Sequence, residues 1–203
     1  MCTKCPAALA RDLDGSFAML VEHHQDLVFG MSRRMSANVA DAEDLAQDTF
    51  VRAHRALRGY DRDRIRALHL RGWLAQICLN LARNRARVAK AATGSAAGAA
   101  SLDDAVEVRD SERTEPEHEA VRRESVQRWA RLLVAVPERY RAAVALRHVD
   151  GLSYPELATA LDRPLNTVKS DVHRGVALLR TAYERDEETR NQSSRQRVLE
   201  VNR

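Results

Sequence analysis

The sequence has few of the residues that build loops, disulfide frameworks or aromatic cores. Its 203 residues include 8 glycines, 5 prolines and 3 cysteines, and aromatic residues make up only 4%. Three cysteines cannot form a disulfide framework, so we expect reduced thiols. There is no apolar run of roughly 18 residues, and no basic segment leads into an apolar core at the N-terminus. We therefore predict neither a membrane span nor a signal peptide, and expect a cytoplasmic protein.

What remains is the composition of short amphipathic helices. Hydrophobic residues make up 44% and charged residues 31%, with a formal net charge of +4. Alanine, leucine and arginine are abundant, which is typical of helical proteins. We predict an all-α fold with two small helical domains joined by a flexible acidic linker, at residues 14–90 and 117–182.

An acidic helix is predicted in the first domain, in "SANVADAEDLAQDTFVRAHRAL". Asp41 can cap it, and acidic residues in its first turn suit the helix dipole. One face forms an inward stripe of Ala42, Leu45, Thr49, Ala53 and Leu57. Asp44, Gln47 and Asp48 then share another face. A short N-terminal tail, residues 1–13, precedes the domain.

A second informative helix lies in "LHLRGWLAQICLNLARNRARVAK". Its predicted inward face carries Leu70, Trp73, Leu74, Ile77, Cys78 and Leu81. We expect Trp73 to be a core residue and Cys78 a small buried hydrophobe. Asn80, Arg83, Asn84 and Arg87 accumulate on the opposite side, towards the C-terminal end.

The composition changes abruptly after this helix. The segment "AATGSAAGAA" has no large apolar residue, and residues 101–120 contain eight acidic residues and two arginines. Little there can offset the entropy lost on ordering, so residues 91–116 are predicted to be an extended linker.

A helix-turn-helix is predicted in the second domain. Ser153 and Glu156 form a capping box, Asp162 can adopt a left-handed turn, and Pro164 can start the next helix. Val168, Val172, Val176 and Leu179 form that helix's predicted inward stripe. The side chains that then point outward are Asn166, Thr167, Lys169, Ser170, His173 and Arg174. These residue types bind base edges and phosphates, although a solvated helix face is the alternative. The polar residues 183–203 are predicted to be a tail that frays.

Three motifs in this order, "DAEDLAQDTF", "RGWLAQICLNLARNRAR" and "AVPERYRAAVALRHVDGLSYPELATALDRPLNTVKSDVHRG", resemble the extracytoplasmic-function sigma factors of bacteria. Those proteins are compact sigma-70 relatives that retain domains two and four. The resemblance covers roughly residues 14–182, and its specificity comes from the agreement of three separate motifs.

The resemblance implies a role for each surface. Asp41, Asp44, Gln47 and Asp48 become candidates for binding core RNA polymerase. Asn80, Arg83, Asn84 and Arg87 become candidates for the minus-ten promoter element, and the six outward residues of the last helix for the minus-thirty-five element. The linker resembles the segment that threads towards the polymerase active-site cleft, and an anti-sigma factor is implied as a partner. The expectation is a promoter-specificity subunit without catalytic residues, cofactor or metal.

The sequence departs from the family pattern at several positions. Asp171 stands where a basic residue is usual, and a carboxylate on a face meeting DNA would repel phosphate or accept a hydrogen bond from cytosine. Gly175 lowers helix stability unless it permits close backbone approach. Ala75 and Leu70 replace common aromatics, so promoter melting is expected to depend more on the loop between Gly59 and Leu70.

Two other functions are compatible with parts of the sequence. The helix-turn-helix alone would also suit a stand-alone DNA-binding regulator. The motif "CTKC", with Cys2 and Cys5, would suit a thiol or zinc sensor, for which His23 and His24 are the nearby additional ligands.

Overall fold

The computed structural model describes residues 5–93, 128–129, 131–133 and 135–201, and this part of the chain is helical and contains no strand. The predicted all-α fold is therefore confirmed. The helices are α1 (Cys5–Arg11), α2 (Leu13–Arg34), α3 (Val39–Leu57), α4 (Arg62–Ala67), α5 (Leu70–Thr93), α6 (Glu138–His148), α7 (Tyr154–Leu161) and α8 (Leu165–Val201). None of the helices within these ranges is long and apolar enough to cross a membrane.

Helices α2, α3 and α5 pack together as the core of the first domain. The stripe predicted on α3 is buried in full, from Ala42 to Leu57. The predicted cap is wrong, because Asn38 is the N-cap and its side chain accepts a hydrogen bond from the Asp41 backbone N–H at 2.8 Å. Asp41 instead lies in the first turn, where its carboxylate still favours the helix dipole.

Part of the predicted N-terminal tail is a packed helix. In α1, Cys5, Leu9 and Ala10 are buried, and the helix contacts α2 and α4. The sequence analysis missed it because seven residues give too short a pattern for periodicity to be read. The Sγ of Cys5 lies 3.8 Å from Nδ1 of His23, whereas Cys2 is outside the described residues.

The expectation for Cys78 is confirmed, because the residue is fully buried and burial raises the pKa of its thiol. The prediction that Trp73 belongs to the core is also confirmed, since 7% of the residue is exposed.

Helices α6, α7 and α8 form the second domain. The predicted capping box is present: Ser153 N–H donates to Oε2 of Glu156 at 2.7 Å. Asp162 ends α7 in the left-handed conformation, with φ 52°. A Cβ on Gly175 would lie 2.5 Å from Cγ2 of Val144, so this glycine permits the close approach of α6 and α8.

The C-terminal residues are more ordered than predicted. Helix α8 continues to Val201. The Arg128 guanidinium donates to Asp186 at 2.7 Å and also to Glu187, and the rings of Trp129 and Tyr183 stack with centroids 5.9 Å apart. The extension therefore packs against residues 128–129 rather than fraying from residue 183.

The two domains are in contact. Helix α5 of the first domain packs along α7 of the second. One buried apolar cluster draws on both domains: Met31, Leu45, Ala75, Cys78 and Leu79 from the first, and Ala142, Leu146, Leu152, Leu157 and Leu161 among those from the second. The predicted linker lies outside the described residues except for residues 91–93, which continue α5.

Candidate functional site

The four candidate residues on α3 form one exposed surface, which we call the acidic face: Asp41, Asp44, Gln47 and Asp48. Arg85 of α5 binds the edge of this face. Its Nη2 donates to Oδ2 of Asp48 at 2.6 Å, and its Nη1 donates to the backbone oxygen of Asp41 at 3.2 Å. The sequence analysis missed Arg85, which fixes α3 against α5 at this point.

A groove between α2 and α3 lies beside the acidic face. It has a volume of about 470 Å³ and is lined by Phe17, Val21, Gln47, Phe50, Val51, His54 and Arg55. Gln47 belongs to both surfaces, so the charged helix face continues into an apolar depression. Such a combination suits a protein partner that has basic and apolar side chains together.

The candidate residues on α5 are all exposed, namely Asn80, Arg83, Asn84 and Arg87. The Arg87 guanidinium donates to Oδ1 of Asn84 at 2.8 Å, which orients the amide within this face. Because the apolar side of α5 is buried, its polar side has no other choice than to face solvent. This helix therefore presents two amides and two guanidinium groups for phosphates or bases.

The loop before α5 adds an arginine-rich edge to the first domain. Arg62, Arg64 and Arg66 are exposed, and the Arg64 guanidinium lies 3.7 Å from the centre of the Tyr60 ring. The Tyr60 ring in turn lies 6.0 Å from that of Trp73. The sequence signal for this edge was the charged run "RGYDRDRIRALHLRG", which was assigned to a loop but not to individual contacts.

The helix-turn-helix of α7 and α8 presents the predicted reading face. Five of its six residues are exposed and Thr167 is partly buried; the five are Asn166, Lys169, Ser170, His173 and Arg174. They lie in the first three turns of α8, directly after the turn at Asp162. In a helix-turn-helix this end of the second helix is the part that contacts base edges.

The inward side of α8 differs from the prediction at Val176, which is 43% exposed. The buried positions are instead Val168, Asp171, Val172 and Gly175. Gly175 replaces Val176 in the stripe because only a residue without a side chain allows α6 this close. The spacing of three and four residues holds, but the face is rotated.

Asp171 is therefore not on the DNA-reading face, as the sequence analysis expected, but 2% exposed beneath it. Its carboxylate accepts from Nε of Arg139 at 3.1 and 3.2 Å and from Nη1 of Arg163 at 3.0 Å. The hydrogen bonds to Asp171 raise the pKa of the Arg139 guanidinium. The carboxylate ties the start of α6 and the turn before α8 to the reading helix.

The histidines considered as metal ligands are not arranged for that purpose. His24 is 5% exposed and burial is the main cause that lowers its pKa to about 4, with Arg71 and His23 adding to the effect. Within the described residues, no group of three His, Cys, Asp or Glu side chains is placed to hold a metal ion.

Family models match both domains. The model described as Sigma-70 region 2 matches residues 20–92, and that described as Sigma-70, region 4 matches residues 127–179. The chain is 34% identical over 169 residues to the ECF RNA polymerase sigma factor SigE of Mycolicibacterium smegmatis, covering 81% of this chain and 60% of that protein. It is 30% identical over 168 residues to the ECF RNA polymerase sigma factor SigW of Bacillus subtilis, covering 81% and 87%.

Two solved structures share the fold. CnrH in complex with the cytosolic domain of CnrY has a TM-score of 0.60 at 24% identity, covering 91% of this chain and 97% of that one. The sigma factor RpoE in complex with the anti-sigma factor NepR from Bartonella quintana has a TM-score of 0.58 at 20% identity, covering 83% and 96%.

Proposed function

The chain belongs to the extracytoplasmic-function sigma factors of the sigma-70 family, and we propose that its three exposed surfaces divide the work of promoter recognition. One binds core RNA polymerase, one the minus-ten element and one the minus-thirty-five element. The observation that carries this assignment is the placement of an acidic face, an Asn- and Arg-rich face and a helix-turn-helix on the two domains that the family models match. The protein acts as an initiation factor in the cytoplasm, and RNA synthesis itself is the polymerase's reaction.

The acidic face binds core polymerase. Asp44 and Asp48 repel DNA, so this surface suits a protein with a basic docking segment. The groove beside it, with Phe17 and Phe50 in its lining, receives apolar side chains of the same partner. An apolar centre with a charged rim is the usual anatomy of a protein interface.

The minus-ten face combines Asn80, Arg83, Asn84 and Arg87. Arginine neutralises phosphates, and asparagine can hydrogen-bond the edge of an unpaired base. The Tyr60–Arg64 stack lies in the neighbouring loop, where an exposed planar group can support a base in single-stranded DNA. Because Leu70 and Ala75 are buried, the aromatic contribution to melting comes from this loop.

The minus-thirty-five face is the start of α8. Asn166, Lys169, Ser170, His173 and Arg174 supply donors and acceptors for the major groove, and Thr167 contributes at the edge. The N-terminus of a helix also favours nearby phosphates. Asp171 supports this face from beneath and does not contact DNA, so it has no part in reading cytosine.

An anti-sigma factor is the expected regulatory partner. Both solved structures that share this fold are complexes, and the RpoE structure is a complex with the anti-sigma factor NepR. A partner of that kind would mask the polymerase-binding and DNA-binding surfaces. The stand-alone regulator is not favoured, because it leaves the acidic face and the region 2 match without a role. The thiol or zinc sensor is not favoured either, because Cys5 is buried within α1.

Reconstituted transcription tests this function directly. Purified protein is added to core polymerase with a library of genomic fragments, and transcripts are sequenced. The expected result is initiation at a small set of sites that share two upstream elements, with none from core polymerase alone. Sequence-specific DNA binding by the chain alone, without a transcript from any fragment, would contradict the proposal.

A further inference from the structure

We propose that the free protein adopts a closed form, in which the second domain is docked on α5, and that this form must open before both promoter elements can be bound. The inference rests on the proposed function, because it concerns the distance between the minus-ten and minus-thirty-five faces. It is carried by four observations on the contact between the domains.

The contact is apolar and continuous with the core. Leu79 and Met31 of the first domain and Leu157 and Leu146 of the second are each at most 3% exposed. They belong to one buried cluster rather than to two separate cores. Burial of leucine and methionine side chains is worth roughly 1.5–3 kcal/mol each against exposure, so separating the domains is opposed.

A glycine lets the two backbones meet. A Cβ on Gly72 of α5 would lie 2.4 Å from the backbone oxygen of Glu156 and 2.8 Å from its Cα. No side chain fits in that space without moving α7. Gly72 has no other requirement for glycine, since it lies inside a helix where alanine is favoured by about 1 kcal/mol.

Polar contacts fix the orientation of the docked domain. Arg34 of α2 forms an ion pair with Asp150, whose side chain is 5% exposed. Nη2 of Arg71 donates to the backbone oxygen of Asp150 at 2.8 Å, and its Nη1 donates to that of Gly151 at 3.3 Å. Burial raises the pKa of Asp150 even beside Arg34, so this pair specifies the docked arrangement more than it drives it.

The closed form is too short to span a promoter. Asn84 lies twelve residues beyond Gly72 on α5, which is about 18 Å. Asn166 lies ten residues beyond Glu156, five of them in α7, which is at most about 26 Å even with a fully extended turn. With Gly72 against Glu156, the Cα atoms of Asn84 and Asn166 are therefore within about 50 Å. Promoter elements centred about 25 base pairs apart are separated by about 85 Å at about 3.4 Å per base pair.

Closure therefore lowers the apparent affinity for a promoter. Only the open fraction can bind both elements, so the observed dissociation constant rises by the inverse of that fraction. Core polymerase and DNA, which bind the open form, shift the population towards it.

The test uses the full chain with spin labels at Glu22→Cys on α2 and Leu178→Cys on α8, in a Cys2→Ser background. Both label positions are exposed and outside the proposed contacts. The free protein is expected to give one short, narrow distance, and the polymerase–promoter complex a distance tens of ångströms longer. A broad distribution in the free protein, or the same distance in both states, would overturn the proposal.

Gly72→Ala supplies the opening variant. It should broaden the free distance and strengthen promoter binding by the reconstituted polymerase at least fivefold. Gly30→Ala is the matched control, because its Cβ would meet only Nη1 of Arg34, at 3.8 Å. Equal binding by the two variants would contradict closure. Absence of transcription from every variant would refute the proposed function instead, while the distance measurement would still decide whether the free chain is closed.

Discussion

Replacing both Asp44 and Asp48 with lysine is expected to abolish the binding of core polymerase while leaving the fold intact. The change reverses two charges on an exposed helix face, and like charges brought together at an interface oppose binding by several kcal/mol. The expected weakening is at least about a hundredfold, since each factor of ten corresponds to about 1.4 kcal/mol. Capture of the variant on immobilised core polymerase measures it.

The Asp48–Arg85 ion pair calls for a second variant, because lysine at position 48 would face Arg85. Asp44→Lys alone keeps that pair and should still weaken capture about tenfold or more. Glu184→Lys with Glu188→Lys makes the same charge change on exposed positions of α8 and serves as the control. If the variant with both lysines in α3 is captured as well as this control, the acidic face does not bind polymerase.

Replacing both Arg139 and Arg163 with alanine is expected to destabilise the second domain strongly. The change leaves the Asp171 carboxylate 2% exposed and without its two cationic partners. An uncompensated buried charge typically lowers the free energy of unfolding by roughly 3–5 kcal/mol. Urea unfolding followed by the fluorescence of Trp129, in a Trp73→Phe background, reports on this domain because the sequence has only 2 tryptophans.

A third substitution separates charge from packing. In the variant lacking both arginines, Asp171→Leu removes the buried charge and should recover most of the lost stability. Arg174→Ala, which removes an exposed cation from the same helix, is the control and should change the midpoint little. An unchanged midpoint in the variant lacking both arginines would show that Asp171 does not need these partners.

The turn and caps of the helix-turn-helix could be predicted because their chemistry is local. Ser153 and Glu156 satisfy each other's backbone donors within four residues, and Asp162 is a residue type that tolerates positive φ. Neither depends on a distant part of the chain. The exposed residues on α3 and α5 could also be predicted, since a buried stripe determines which side of a helix remains in water.

The inward face of α8 could not be predicted as easily, because valine at 176 and glycine at 175 give opposite signals. Hydrophobicity favours burial of Val176, whereas the close approach of α6 requires Gly175 there. A spacing of three and four residues from Val168 through Asp171, Val172 and Gly175 was present in the sequence. It was overlooked because an aspartate is rarely assigned to a buried position.

The contact between the domains was beyond the sequence analysis for a different reason. Arg34 and Asp150 are 116 positions apart, and nothing near either residue indicates its partner. Gly72 reads locally as an unfavourable helix residue and acquires a reason only when α7 packs against it. Long-range pairs of this kind have no local signature, and the same applies to Arg128 with Asp186.

Footprinting of the reconstituted polymerase on a promoter found by the transcription assay tests the assignment of two DNA-reading faces most directly. Lys169→Ala with Arg174→Ala should reduce protection around the minus-thirty-five element and lower the salt dependence of binding, because phosphate contacts release counterions. Asn84→Ala with Arg87→Ala should instead reduce protection and strand opening around the minus-ten element. Loss of the same protected region in both variants, or unchanged footprints in both, would contradict it.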